Sequence, residues 1–62
     1  MILKDILKTV SYHQDVEIIW GDRSLSGQYD DIKLSIPVEL LGGVVKDIAA
    51  YQDCLKIWLN ID

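Results

Sequence analysis

The sequence predicts an α+β fold in which a short N-terminal helix packs on a small antiparallel sheet. The apolar residues change from helical spacing in the first ten residues to strand-like alternation in the rest of the chain. Glycine, proline and paired aspartates interrupt the apolar segments at short intervals, as tight turns do. With 62 residues, 50% of them hydrophobic, residues 1–62 are expected to form a single domain.

The first element is predicted to be an amphipathic helix over residues 2–10. Its apolar stripe follows the i, i+3, i+4, i+7 spacing and consists of Leu3, Ile6, Leu7 and Val10. A helix this short is not stable in isolation, because nucleation costs more free energy than so few hydrogen bonds return. We therefore expect its apolar stripe to pack against the sheet.

The next segment is predicted to be a β-hairpin. Residues 16–20 are β-branched and aromatic apart from Glu17, which is typical of a strand, and Gly21-Asp22 is a turn signal. Residues 24–29 would return as the second strand. Gly27 within it marks a bulge or a close approach of another backbone segment.

The middle of the chain is predicted to hold one more strand and one helical turn. Ile32, Leu34 and Ile36 alternate with polar residues, the pattern of a half-buried strand that ends before Pro37. Residues 38–41 lie between this proline and Gly42-Gly43, and a proline before and glycines after a segment favour a helical turn.

A second hairpin is predicted near the C-terminus, with strands at residues 44–51 and 54–61 around Gln52-Asp53. Alternation in the last strand places its leucines and isoleucines on one face and Trp58 on the other. The expected architecture is therefore an antiparallel meander, or a partly closed barrel, of about five strands.

Composition narrows the function classes. The formal charge is −4 and Arg23 is the single arginine. Nucleic-acid binding depends on several cations that neutralise phosphates together, so we do not expect nucleic acid as the main partner. The chain contains neither a secretory signal nor an apolar run long enough to span a membrane, so we expect a cytoplasmic protein. A single cysteine, Cys54, excludes an internal disulfide, and self-association is the expected source of additional stability.

Catalytic and metal motifs are not evident, and we expect no enzyme activity, no cofactor and no metal site. One histidine and one cysteine do not provide a zinc-ligand set. His13 has no carboxylate or nucleophile placed beside it by sequence, and Asp30-Asp31 is more typical of a turn than of a cation site. The residues around Ser24 and Ser26 match neither a nucleophile elbow nor a phosphate-binding loop.

The aromatic residues provide the candidate binding site. Tryptophan, tyrosine and arginine are enriched at binding hot spots. The candidate binding residues are Trp20, Arg23, Tyr29, Lys56 and Trp58. A structural role is the other interpretation of each tryptophan. It is favoured for Trp20, which shares a strand face with Val16 and Ile18 and would complete the core. For Trp58 the alternative to a binding role is ordinary surface cover.

Several segments follow one another along the chain at characteristic intervals. They are Leu3-Lys4-Asp5-Ile6-Leu7, Asp15-Val16-Glu17-Ile18-Ile19, Glu39-Leu40-Leu41, Val45-Lys46-Asp47-Ile48 and Leu55-Lys56-Ile57-Trp58-Leu59. In their order and spacing they resemble the small acidic proteins encoded by phages and mobile elements of Gram-positive bacteria. This resemblance implies a non-catalytic accessory protein that acts in the bacterial host cell, in a group that includes inhibitors of host defence. The order of elements also looks like small barrels of the Sm or SH3 type.

Three functions are consistent with these observations. The leading hypothesis is a self-associating protein that binds, and inhibits, a host protein through its exposed aromatic residues. The alternative is an oligomer that sequesters a nucleotide between subunits, with tryptophan or tyrosine stacking on the base and Arg23 or a lysine binding phosphate. A small-barrel RNA-binding protein is the second alternative.

Overall fold

A computed structural model describes residues 1–60 of the chain, which form four strands and three short helices in this part. In chain order the elements are α1 Leu3–Leu7, β1 Asp15–Trp20, β2 Arg23–Gln28, α2 Tyr29–Ile32, α3 Val38–Leu41, β3 Val45–Tyr51 and β4 Cys54–Leu59. The α+β class is confirmed. None of the helices is long and apolar enough to cross a membrane in this part of the chain.

The sheet order is β2-β1-β4-β3, with two antiparallel hairpins side by side and a parallel pair in the centre. The prediction of an antiparallel meander is therefore wrong at the centre of the sheet, where Ile18 is in register with Ile57. Within residues 1–60 the sheet has four strands and is open, so neither a fifth strand nor a barrel forms. The two most apolar strands, β1 and β4, take the central positions because these are buried most completely.

The strand predicted over residues 32–36 is replaced by the end of α2 and a turn. Ile32 and Ile36 are buried, whereas Leu34 between them is 91% exposed. In a strand Leu34 would lie on the same face as these two side chains, so its exposure excludes a strand, and two buried residues four positions apart are typical of a helical turn. Residues 29–44 must connect one edge of the sheet to the other, and in crossing they cover one face with α2 and α3.

The other predicted elements are present with small changes in length. Both two-residue turns, at residues 21–22 and 52–53, join antiparallel strands, and the helical turn over residues 38–41 is confirmed. The N-terminal helix is shorter than residues 2–10, and it ends where the Thr9 hydroxyl donates to the Ile6 carbonyl at 2.8 Å. The predicted end of the last strand at Ile61 lies outside the described residues.

One hydrophobic core lies between the helices and a single face of the sheet. Val16, Ile18 and Ile57 in the central strands are fully buried, and so is Leu3 from α1. The remaining core side chains are Ile6, Leu7, Ile32, Ile36, Leu40 and Leu59. Because all three helices contribute to this core, they cover one face of the sheet and leave the opposite face uncovered.

Gly27 is a site of close approach, but a side chain approaches it rather than the backbone segment that the sequence predicts. Its φ is +145°, and a Cβ atom added there would lie 2.9 Å from Cγ2 of Ile32. This contact lets α2 pack directly on β2. A side chain at position 27 would force apart two elements of the core and would also adopt a backbone conformation reserved for glycine.

We predict that Gly27→Ala lowers the free energy of unfolding by about 2 kcal/mol, because it combines steric overlap with backbone strain. Urea unfolding followed by circular dichroism measures the change. Gly42→Ala is the matched control, since Gly42 has φ −90° and open space around its Cα. An equal loss in both variants would show that α2 does not pack on Gly27 as described.

Candidate functional site

The uncovered face of the sheet is built from alternate residues of all four strands. The registers place them in three rows that each cross the sheet from β2 to β3. The rows are Gln28, Asp15, Cys54, Tyr51; Ser26, Glu17, Lys56, Ala49; and Ser24, Ile19, Trp58, Asp47. We call this surface the open face.

The apolar centre of the open face is formed by Ile19 and Trp58, which are register partners on β1 and β4. Both side chains are half-buried by their neighbours although no helix covers them. In the next row Lys56 lies 3.5 Å from Glu17, and its ammonium is also 5.2 Å from the centroid of the Tyr51 ring. These two contacts link Lys56 on β4 to Glu17 on β1 and to Tyr51 on β3.

The open face is acidic. Asp15, Glu17 and Asp47 contribute three carboxylates, and Lys56 is the one cation in the three rows. Glu17 already pairs with Lys56, so Asp15 and Asp47, at opposite ends of the face, are the acidic residues of the three rows that form no ion pair within residues 1–60. The exposed Lys46 precedes Asp47 at the register irregularity of β3. The open face is thus an aromatic centre with acidic ends.

Trp20 and Arg23 lie on the other face of the sheet, where they are register partners at the end of the first hairpin. Trp20 packs against the core, as its structural alternative predicts. It also lines a cavity of about 360 Å³ at the end of the sheet, which we call the Trp20 cavity. The residues that line the Trp20 cavity are Trp20, Arg23, Pro37, Glu39, Leu40 and Gly43.

Tyr29 belongs to neither surface. It begins α2 and stacks on Tyr12, with ring centroids 5.9 Å apart and an interplanar angle of 16°. The ammonium of Lys33 lies 4.6 Å from the centroid of the Tyr12 ring. This aromatic pair fixes the connector before β1 against α2, and its evident role is structural.

The five predicted binding residues are therefore separated into three places. Lys56 and Trp58 are together on the open face, Trp20 and Arg23 are together at the Trp20 cavity, and Tyr29 is apart from both. Sequence reasoning did not identify Ile19 or Glu39. The sequence shows that Ile19 and Ile18 must face opposite sides of their strand. It does not show that Ile19 lies beside Trp58, because that contact depends on the parallel register of β1 and β4.

Cys54 lies beside a second cavity of about 360 Å³ at the opposite end of the sheet. Gln14 closes one side of this cavity by donating to the main-chain carbonyls of Asp53 at 2.7 Å and Asp15 at 3.0 Å. Among the described residues 1–60, no histidine or acidic side chain lines the cavity beside the thiol. Within residues 1–60, no three His, Cys, Asp or Glu residues come together in a group that could hold a metal ion.

Comparison with known proteins assigns neither a family nor a function to this chain. No protein-family model, no curated protein and no solved structure matches this chain. Its function must therefore be argued from the open face and the two cavities.

We predict that Ile19 and Trp58 are energetically coupled because their side chains are neighbours on the open face. A double-mutant cycle with Ile19→Ala and Trp58→Ala should give a coupling free energy of about 0.5–1 kcal/mol in urea unfolding. Leu25→Ala combined with Trp58→Ala is the control, since Leu25 is on the helix-covered face and should be additive. Additivity in the first cycle would contradict the parallel register.

Proposed function

We propose that this protein is a non-catalytic binding module whose open face docks on a basic, partly apolar surface of a protein partner. The observation that carries the proposal is the Ile19–Trp58 pair at the centre of a sheet face that no helix covers. An apolar centre with a tryptophan, surrounded by polar groups, has the composition of a protein-binding hot spot and its rim.

The shape of the open face favours a protein over a small molecule as its occupant. Alternate residues of four strands present a broad surface, and the two cavities described above lie at the ends of the sheet, where Cys54 alone belongs both to the open face and to a cavity lining. Small ligands bind mainly in concave sites that enclose most of their surface. A broad face with one central tryptophan therefore suits a protein partner, whose own surface can cover it.

The charge of the open face indicates the chemistry of that partner. The carboxylates of Asp15 and Asp47 lie at opposite ends of the Ile19–Trp58 centre, and the whole chain has a charge of −4. A basic surface would be steered toward this face and would pair with both carboxylates. A second copy of the chain would instead bring like charges together, so we do not assign the open face to self-association.

The resemblance to phage-encoded accessory proteins makes a bacterial host protein the partner that we propose, and inhibition by occlusion of its basic surface the consequence. Self-association, which the small size of the chain led us to expect, would then use another surface. The intact native mass of the purified protein tests that expectation separately.

We predict that Trp58→Ser abolishes partner capture, whereas Leu34→Ser leaves it unchanged. Leu34 is 91% exposed in the segment that crosses the opposite face, so this pair removes an apolar side chain from each side of the molecule. The experiment is affinity capture from bacterial lysate at low salt, with thermal unfolding used to confirm that both variants are folded. The interaction should weaken as salt rises, because it depends on exposed charges.

A charge-reversal pair provides a second test that does not disturb packing. Asp15→Lys should weaken capture at least tenfold, while Asp31→Lys, an equal charge change at an exposed position in α2, should have little effect. Hydroxyl-radical footprinting of the complex should protect Trp58 and leave Tyr12 unprotected. Equal losses from Asp15→Lys and Asp31→Lys, or a captured protein that leaves Trp58 unprotected, would contradict docking at the open face.

A further inference from the structure

We infer that the Trp20 cavity is a binding site for a purine nucleoside monophosphate of the guanine type. The site is independent of the open face, since Trp20 and Trp58 project from opposite faces of the sheet. Its volume of about 360 Å³ is within the range of small-ligand sites, about 300–1,000 Å³. The cavity lies within one chain, so it needs no second subunit.

The apolar part of the Trp20 cavity suits a flat ring. Trp20 is half-buried and held against the core, while Pro37 and Leu40 belong to the segment that crosses over the sheet. An indole that is fixed by packing offers a stacking surface at little entropic cost. Stacking on an aromatic side chain contributes about 1–3 kcal/mol per base.

Two side chains of opposite charge line the same cavity. Arg23 extends from the strand that pairs with Trp20, and Glu39 extends from α3. They do not form an ion pair with each other. Both residues are exposed, so each charge is accessible from solvent. A ligand that bridges them would offer an anionic group to the guanidinium and hydrogen-bond donors to the carboxylate.

A guanine nucleotide meets both requirements, because its phosphate suits the guanidinium and its base offers two parallel N–H donors, at N1 and at the exocyclic amine. A carboxylate accepts such a donor pair through its two oxygens. Adenine presents an acceptor nitrogen at the corresponding ring position, which a carboxylate repels. The presence of Glu39 therefore predicts a preference for guanine over adenine.

The test uses the side-chain indole N–H signals of the two tryptophans in heteronuclear NMR spectra of the full chain, assigned with Trp58→Phe. Guanosine 5′-monophosphate should shift the Trp20 signal in a saturable manner and leave the Trp58 signal in place. Adenosine 5′-monophosphate should bind at least fivefold more weakly, and guanosine without phosphate at least tenfold more weakly. A partner protein at the open face would shift Trp58 instead, which separates this inference from the proposed function.

Two substitutions assign the roles within the Trp20 cavity. Arg23→Ala should remove the advantage of the monophosphate over guanosine, with Lys8→Ala as a control at an exposed lysine of the N-terminal segment. Glu39→Gln should reduce the discrimination between the two purines, with Asp31→Asn as its control.

Three results would overturn the inference. They are the absence of a saturable Trp20 shift at millimolar guanosine 5′-monophosphate, equal binding of the adenine nucleotide, and tighter binding of a zwitterion such as phenylalanine. The last result would show that Arg23 and Glu39 bind the two charges of an amino acid rather than a nucleotide.

Discussion

The parallel pairing of β1 with β4 is the interaction on which the rest of the structure depends. It places Val16, Ile18 and Ile57, all fully buried, side by side at the centre of the sheet. On the reverse side the same register places Ile19 beside Trp58. The core and the apolar centre of the open face are thus two consequences of one strand pairing, because alternate residues of a strand point to opposite faces.

This pairing also determines the path of the chain between the hairpins. With β2 and β3 at opposite edges, residues 29–44 must cross the whole sheet, and they cross on the face that α1 also covers. The crossing segment buries Ile32, Ile36 and Leu40 and brings Glu39 next to Trp20 and Arg23. The segment therefore both completes the core and forms one wall of the Trp20 cavity.

Local signals in the sequence were sufficient to predict the two hairpins, the helical turn at residues 38–41 and the close approach at Gly27, because each depends on neighbouring residues. Strand order was not predictable in the same way, since it depends on contacts between residues far apart in the chain. One signal was available in the sequence, namely that β2 and β3 are the more polar strands. The structure adds a register irregularity in β3 between Val45 and Asp47, as edge strands often have. The candidate site was only partly predictable, because the folded chain divides the five predicted aromatic and basic residues among the open face, the Trp20 cavity and the start of α2.

Nuclear Overhauser contacts between backbone protons of the strands measure the central pairing most directly. The structure predicts contacts between Ile18 and Ile57 and between Glu17 and Lys56, in parallel register. An antiparallel meander would instead place β2 beside β3 and give contacts between residues such as Leu25 and Ile48. Contacts of that kind, without the Ile18–Ile57 pair, would contradict both the described core and the open face.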